Sequence, residues 1–397
     1  MITYSVSLQF GLTIAIALAF VPAILLALEI ASAVILREPT LSTAVSHATR
    51  RIAAIIPACN EEVRLLLTLE DVKAQLPTSA RLVVVADNCT DRTAEIAHAA
   101  GAEVTERHDP GRRGKGYALD WGVQYLKQDP PDVVLVIDAD CRLGENTISI
   151  LANISLSAER PIQALYIMKM PAGSLGKRGV EELAWILKTY VRPLGLLKLG
   201  LPCQLMGTGM AFPWKAISNV DLASGNLVED VKLGLDLAAK GYAPQFCPSV
   251  YIESSFPTSE AAAIDQRRRW EIGSVRVLVT EGPRFVWRAL TSGNLHLLVL
   301  ALDAMIPPLG LLSGFIIILW LAAAAEAAMS YRFAHFVGAT MVSTLVGGSL
   351  IVAWFRFGRQ VLHPRDAWQL IRHLLQKFRI YRLRLGQPQK WNRTDRS

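Results

Sequence analysis

The chain is poor in cysteine, and the few it has follow no pattern. Cys59, Cys89, Cys141, Cys203 and Cys247 are widely spaced over 397 residues, odd in number, and form no C-x-x-C. That excludes a disulfide scaffold and a zinc ribbon and points to reduced thiols in a cytosolic compartment. The seven histidines are equally scattered, so no His-rich metal site is visible. No Lys or Arg precedes Arg37. The basic n-region of a secretory signal is therefore missing, although Ala31-Ser32-Ala33 resembles a cleavage site. Internal repeats and low-complexity segments are absent, and so is the P-loop spacing G-x-x-x-x-G-K-[ST]. Only 19% of residues are charged, and the positive excess is local. Residues 356–397 hold eleven Lys or Arg against two Asp or Glu, a balance of +9, while the whole chain is +7; the remainder is −2. A central nucleic-acid-binding domain would need a basic face there, so no nucleic-acid partner is expected.

Apolar residues are present in excess: 52% of the chain, with a mean hydropathy of +0.31. They concentrate in three runs. Residues 7–36 exceed the roughly 20 needed to cross a bilayer, and the apolar run continues past the cleavage-like triplet, so a retained anchor is expected. Arg37, Arg50 and Arg51 follow it, placing the N-terminus outside and the rest of the chain in the cytoplasm by the positive-inside rule. Residues 295–355 read as a transmembrane hairpin, with Tyr331-Arg332 between its two apolar halves. Pro307-Pro308 would kink or break the first half, leaving either one span or an interfacial helix followed by a span. Asp303 is costly in lipid and should face protein or the interface; Glu29, near the end of the first run, could reach the interface. Three spans return the basic tail 363–397 to the cytoplasm. Within it, residues 363–386 interleave apolar and basic residues as an amphipathic helix suited to an anionic leaflet, or to packing on the soluble domain.

The middle, 50–275, has a different texture. IAAIIPA (52–58), LVVVA (82–86) and VVLVI (133–137) are short continuous apolar runs, each closed by a polar cluster. Helical patterns follow through Leu65, Leu66, Leu69 and Val72, and over 92–100. Such alternation predicts an α/β domain with a parallel sheet buried on both faces, whose ligands bind at the carboxyl ends of the strands. Asn60-Glu61-Glu62, Asp87-Asn88 and Asp138-Ala139-Asp140 all fall at such ends.

Several clusters carry chemistry. Asp138 and Asp140 can converge on a divalent cation, Mg²⁺ or Mn²⁺, both of which prefer oxygen ligands and are commonly shared with substrate phosphates. Arg112-Arg113-Gly114-Lys115-Gly116 is a basic glycine-rich loop, either an exposed turn or a seat for a diphosphate. Glu229-Asp230 opens a helical stretch. The pair either favours the helix N-terminus electrostatically or supplies a base for an attacking hydroxyl. In Gln266-Arg267-Arg268-Arg269-Trp270, helical spacing puts Gln266, Arg269 and Trp270 on one face; Arg267 and Arg268 could lie on lipid. Gly207-Thr208-Gly209-Met210 either admits a ligand close to the backbone or marks a strand turn.

Taken in order, PACNEE (57–62), ADNCTD (86–91), GKGYAL (114–119), DAD (138–140), GTGMAFPW (207–214), VED (228–230) and QRRRW (266–270) resemble the family 2 glycosyltransferases of GT-A fold. The likeness is greatest to the membrane-anchored branch of cellulose, hyaluronan and poly-N-acetylglucosamine synthases. Lys390-Trp391-Asn392-Arg393-Thr394 is similar to a W-x-x-T tail element of that branch. The resemblance implies a GT-A domain, Rossmann-like and specific for nucleotide-diphospho-sugars, between transmembrane helices. It implies an inverting transfer from a UDP-sugar to a glycan or lipid-linked glycan in bacterial exopolysaccharide synthesis at the cytoplasmic membrane. Asp87 would meet the uridine beside the Pro57, Asn60 and Glu62 loop, and Lys115 the diphosphate. Asp138 and Asp140 would hold donor and metal. Asp230 would be the base, supported by Glu229. Gln266, Arg269 and Trp270 would bind the diphosphate and acceptor end, and Gly207, Thr208 and Gly209 would line the acceptor site.

Two departures accompany the likeness. Ala86-Asp87 stands where the family often has Asp-Asp, and three spans are too few to enclose a wide product channel. A processive synthase of this size would need a polysaccharide-export or synthase partner, or would form a homo-oligomer. A ceramide- or diacylglycerol-type transferase shares the same motifs. A non-catalytic scaffold would be expected to have lost a metal or base carboxylate, and a transporter to carry more charge within its spans.

Overall fold

The computed structural model describes residues 2–39, 50–170, 179–223, 228–257, 259–366 and 368–369. Nearly all of the basic tail, including the 390–394 element, lies outside the described residues.

Among the described residues, eight strands form one sheet: β1 (Ile52–Ala58), β2 (Arg81–Asp87), β3 (Glu103–Arg107), β4 (Val133–Val136), β5 (Arg142–Leu143), β6 (Ile162–Lys169), β7 (Met210–Pro213) and β8 (Gln245–Ser255), in the order β3-β2-β1-β4-β7-β6-β8-β5. The first four of that order are parallel, and their continuous apolar runs have the predicted cause. Alternate residues of β1 feed opposite core layers. Ala54 and Ile56 pack with Leu65, Leu69 and Leu151, while Ala53 and Ile55 pack with Leu119, Val123 and Leu126. Period-two side chains on a sheet covered by helices on both faces require apolar residues at every position.

The other half of the sheet is mixed rather than parallel. β7 runs antiparallel to both β4 and β6, and β8 runs parallel to β6. The chain leaves β6 at the carboxyl edge, forms the helices Gly179–Ile186 and Arg192–Lys198 joined by a π-helical turn, and re-enters from that same edge as β7. The 205–209 loop is thereby delivered beside the ends of β1, β2 and β4.

Among the described residues, three helices are long and apolar enough to cross a membrane: Gln9–Ile35, Leu309–Ser330 and Ala334–Gly358. Leu26 and Ile30 of the first pack in one cluster with Leu312, Leu319, Val342 and Val346 of the other two. At one end Glu326 accepts from Gln9 Nε2 (3.3 Å) and from the Ser330 hydroxyl (3.1 Å), and pairs with His335 (3.4 Å).

The stretch expected to begin the hairpin divides at Pro307-Pro308. Leu295–Ala304 is a separate helix of 10 residues, about 15 Å long and too short to cross. Its Leu297, Leu300 and Ala301 pack against Leu235 and Ala238 of helix Glu229–Ala239, and Asn294 Nδ2 donates to the Ala238 carbonyl at 3.0 Å. The segment therefore packs with helix Glu229–Ala239 rather than with the hairpin.

Glu29 does not reach the interface but is buried against protein. Arg192 Nε donates to its carboxylate at 2.7 Å, and the same guanidinium is paired with buried Asp303, whose other oxygen accepts from Gln204 Nε2 at 2.6 Å. Gly195 makes this approach available, because a Cβ there would collide with the Glu29 carbonyl. One arginine thus ties the first long helix to the domain and to the short helix before the hairpin.

Candidate active site

The carboxyl ends of β1, β2 and β4 open into a cavity of about 1250 Å³. The loop after β1 and the loop after β2 clasp each other at its rim. Asn60, in a left-handed conformation (φ 56°), accepts from the Thr90 N–H at 2.7 Å. Glu62 accepts from the Arg92 N–H at 3.2 Å. Both side chains serve the clasp, and neither lines the cavity, whereas Pro57, Glu61 and Asp87 do. Asp87 is buried, its Oδ1 accepting from Arg107 Nη1 (2.6 Å) and Asn88 Nδ2 (2.9 Å). Arg107 also donates to the Arg112 carbonyl at 2.8 Å, fixing the glycine-rich loop against Asp87. No sequence signal marked Arg107, since it ends an edge strand without an apolar run.

Lys115 begins helix Lys115–Leu126 and reaches across the cavity. Its ammonium pairs with Asp138 and donates to the Gly207 carbonyl at 2.7 Å. Gly207 has φ 88°. A Cβ there would lie 3.5 Å from Lys115 Nζ and 3.6 Å from Asp230 Oδ2, so this glycine stands between the two charged groups. Thr208 and Gly209 sit behind it and do not line the cavity. The Thr208 hydroxyl accepts from the Asp138 N–H at 3.0 Å. Buried Gln163 on β6 pins the same loop, donating to the Thr208 carbonyl (2.9 Å) and accepting from the Met206 N–H (2.8 Å).

Ligand atoms of Asp138, Asp140 and Cys141 lie within 4.8 Å of one another. Burial pushes the Cys141 thiol far above its ordinary range, with the Asp138 charge adding to it. The two carboxylates are the oxygen donors of this group. An oxygen donor set fits a hard divalent cation. Asp140 is oriented by the Ser254 hydroxyl at 3.0 Å. The segment between the two carboxylates and just beyond is held by Thr68, whose hydroxyl donates to the Ala139 and Cys141 carbonyls at 2.8 and 2.9 Å.

Across the cavity, Glu229 and Asp230 open helix Glu229–Ala239. Desolvation pushes Glu229 up to about 7, with the Asp230 charge adding to it and Lys115 opposing. Asp230 is raised by the same cause, opposed first by Lys188. Gln266, Arg269 and Trp270 line the cavity from helix Glu260–Arg276, the one face that the helical spacing predicts. Arg267 also reaches the cavity and pairs with Glu181, so it is not spread on lipid. Trp270 stacks on Trp185 (centroids 5.1 Å apart, planes 28°), and Lys188 Nζ lies 5.8 and 5.9 Å from the two rings. Trp185 and Lys188 were not singled out from sequence. The 179–198 stretch carries no recognisable motif, and only the folding-back of the chain brings it to Asp230.

Lys188 has a measurable consequence. A base accepts a proton only as carboxylate. Raising its pKa makes activity fail at higher pH on acidification, and a nearby cation counters this. If Asp230 is the proton acceptor, Lys188→Met is expected to move the acid limb of the kcat/KM–pH profile upward, with activity recovering as the pH rises. A parallel loss at all pH values would mean that Lys188 does not act through Asp230.

A curled mixed α/β sheet with acidic clusters at its strand ends is the GT-A arrangement. Residues 49–273 match the family described as Glycosyltransferase like family 2. The chain belongs to that family. Its curated relatives match over shorter segments. The Low-salt glycan biosynthesis hexosyltransferase Agl6 of Haloferax volcanii is 34% identical over 121 residues, 30% of this chain and 28% of that protein. The 4,4'-diaponeurosporenoate glycosyltransferase of Staphylococcus haemolyticus is 37% identical over 100 residues, 24% of this chain and 26% of that protein. The matched segments thus span about a quarter of those relatives' length. Among solved structures, the mannosyltransferase PcManGT of Pyrobaculum calidifontis, in complex with GDP-Man and Mn²⁺, superposes with a TM-score of 0.52 at 16% identity, over 88% of this chain and 97% of that one. At that identity the likeness is one of fold.

Proposed function

We propose that the protein is a membrane-anchored, inverting hexosyltransferase that moves a sugar from a nucleotide-diphospho-sugar to an acceptor presented at the membrane, in assembly of a bacterial surface polysaccharide. The observation that carries this reading is the convergence of Lys115, Asp138 and Asp230 around Gly207 in one cavity. A cation and a carboxylate for the donor's diphosphate end face a carboxylate suited to deprotonate an acceptor.

In this reading Asp87 and Pro57 receive the nucleobase side of the donor, and Lys115 meets its diphosphate. Asp138 and Asp140 would hold Mg²⁺ or Mn²⁺, which when bound neutralises charge on the leaving diphosphate. Asp230 takes the proton from the acceptor hydroxyl, and the new bond forms on the face of the anomeric carbon opposite the departing diphosphate, inverting it. Glu229 supports Asp230. Arg269 and Gln266 orient the diphosphate, and Trp270, braced by Trp185, offers a flat apolar surface to a sugar ring. The three apolar helices act as the anchor, with the catalytic domain on the cytosolic side of the bacterial inner membrane.

The motif resemblance supports a UDP-sugar, while the Pyrobaculum structure holds GDP-Man. The test is therefore release of nucleoside diphosphate from a panel containing both kinds of donor, by the full chain in nanodiscs. Chelator is expected to reduce release to background, and added Mg²⁺ or Mn²⁺ to restore it. Asp140→Ala should lower kcat/KM by about 10²–10³-fold, the several kcal/mol a bound cation supplies. Unchanged turnover in excess chelator would remove the metal from the mechanism.

A further inference from the structure

The cavity does not end at the catalytic groups. It continues past Trp185 and Lys188 to walls supplied by two of the long apolar helices. Leu309 and Ser313 come from the start of Leu309–Ser330, Leu350 and Ile351 from the end of Ala334–Ala353, and Trp354 follows them. Leu183 and Leu187 close the domain side. Trp354 is fixed there, its indole N–H donating to the Leu362 carbonyl at 2.8 Å. Ile351 lines the cavity and is also 64% exposed. The groove therefore opens sideways, onto the outer surface of that helix.

Two properties of this half select its occupant. A cavity of about 1250 Å³ exceeds the roughly 300–1,000 Å³ of an ordinary small-molecule site, so a donor alone leaves space. The far walls carry Leu309, Leu350, Ile351 and Trp354, and Arg192, Asp303 and His363 share the lining with them. A hydroxyl-rich glycan laid along the apolar residues would lose water there that they do not replace. A hydrocarbon chain entering from a bilayer only exchanges one apolar surrounding for another.

We propose that the acceptor is a membrane lipid. Its polar head, a hydroxyl or a phosphate, sits between Asp230 and the Lys188–Trp270 wall, and its hydrocarbon chain lies in the groove along Leu309, Ser313, Ile351 and Trp354. The inference rests on the transferase reading above and names its substrate class. The head oxygen forms the new bond to the anomeric carbon. The anomeric carbon–phosphate oxygen bond breaks, and the nucleoside diphosphate leaves with the electron pair. From a hydroxyl head the proton passes to Asp230; a phosphate head is already ionised and gives none up.

The experiment uses the full chain in nanodiscs with radiolabelled nucleotide-sugars. Four acceptor arms are offered: a total bacterial membrane-lipid extract, a diacylglycerol, a polyprenyl phosphate, and a water-soluble oligosaccharide mixture. Label is expected in the organic phase with the extract and with one defined lipid, which identifies the head. Ser313→Trp and Ile351→Trp keep their helices apolar while filling the groove. They should raise KM for the lipid by about tenfold or more, as overfilling an apolar site does, with KM for the donor unchanged. Label confined to the aqueous phase, as free sugar or polymer, overturns the lipid acceptor, and so does full lipid transfer by both filled variants. Failure of the transferase reading looks different: no donor is bound or turned over in any arm.

Discussion

Asp230→Asn is expected to lower kcat for sugar transfer by about 10²–10⁴-fold, the usual contribution of a general base, with binding of nucleoside diphosphate and metal retained. The replacement is nearly isosteric. The amide oxygen can still accept from the Val231 N–H, which lies 2.9 Å from Asp230 Oδ1, so the helix start keeps its geometry. What is lost is the proton acceptor, together with a charge facing Lys188. Glu229→Gln should be milder. Glu229 is pushed up to about 7 by desolvation and by its charged neighbour, and its expected part is to support Asp230 rather than to take the proton itself. Single-turnover rates beside calorimetric nucleotide binding separate the outcomes. Near-normal turnover in Asp230→Asn would remove this residue from the base role. Equal losses in both variants would show that the two carboxyls act as one unit.

The second large effect is on stability. Arg192→Leu leaves Glu29 and Asp303 buried beside one another without a cation, and breaking a buried pair in this way costs about 3–5 kcal/mol. Arg192 bonds to Glu29 on the first long helix and to Asp303 on the short helix before the hairpin, partners 163 and 111 residues away in sequence. Its loss should loosen the first long helix from the domain as well as lower the unfolding midpoint in detergent. The triple change Glu29→Gln, Arg192→Leu, Asp303→Asn removes all three charges and should recover most of the loss, because no uncompensated charge remains. If Arg192→Leu melts with the wild type, the three charges do not bind the helices together.

Much of the catalytic half was legible in advance. β1, β2 and β4 are buried on both faces, so their apolar runs announce strands whatever surrounds them, and the polar residues that end the runs can only lie at the sheet's edge. Asp87, Lys115, Asp138, Asp140, Glu229, Asp230, Gln266, Arg269 and Trp270 reach one cavity, as their motifs suggest. Asn60, Glu62, Thr208 and Gly209 belong to those motifs but stand behind the cavity wall. A motif records which loop matters, and not which of its side chains turns inward.

Residues without a local pattern were not legible. Trp185, Lys188, Arg107 and Gln163 act through partners distant in the chain, and nothing in their own surroundings marks them. Pro307-Pro308 announced a break, yet Leu295–Ala304 is apolar enough to pass for membrane or core, and only its packing on Leu235 and Ala238 assigns it. Local composition by itself determined β1, β2 and β4 and the chemistry available at their ends, because burial on two faces and the solubility of charge act on each segment separately. Which charges pair inside, where Glu29 points, and that the catalytic cavity runs on into the apolar helices were decided only by tertiary structure, since each depends on surfaces that meet once the chain has folded.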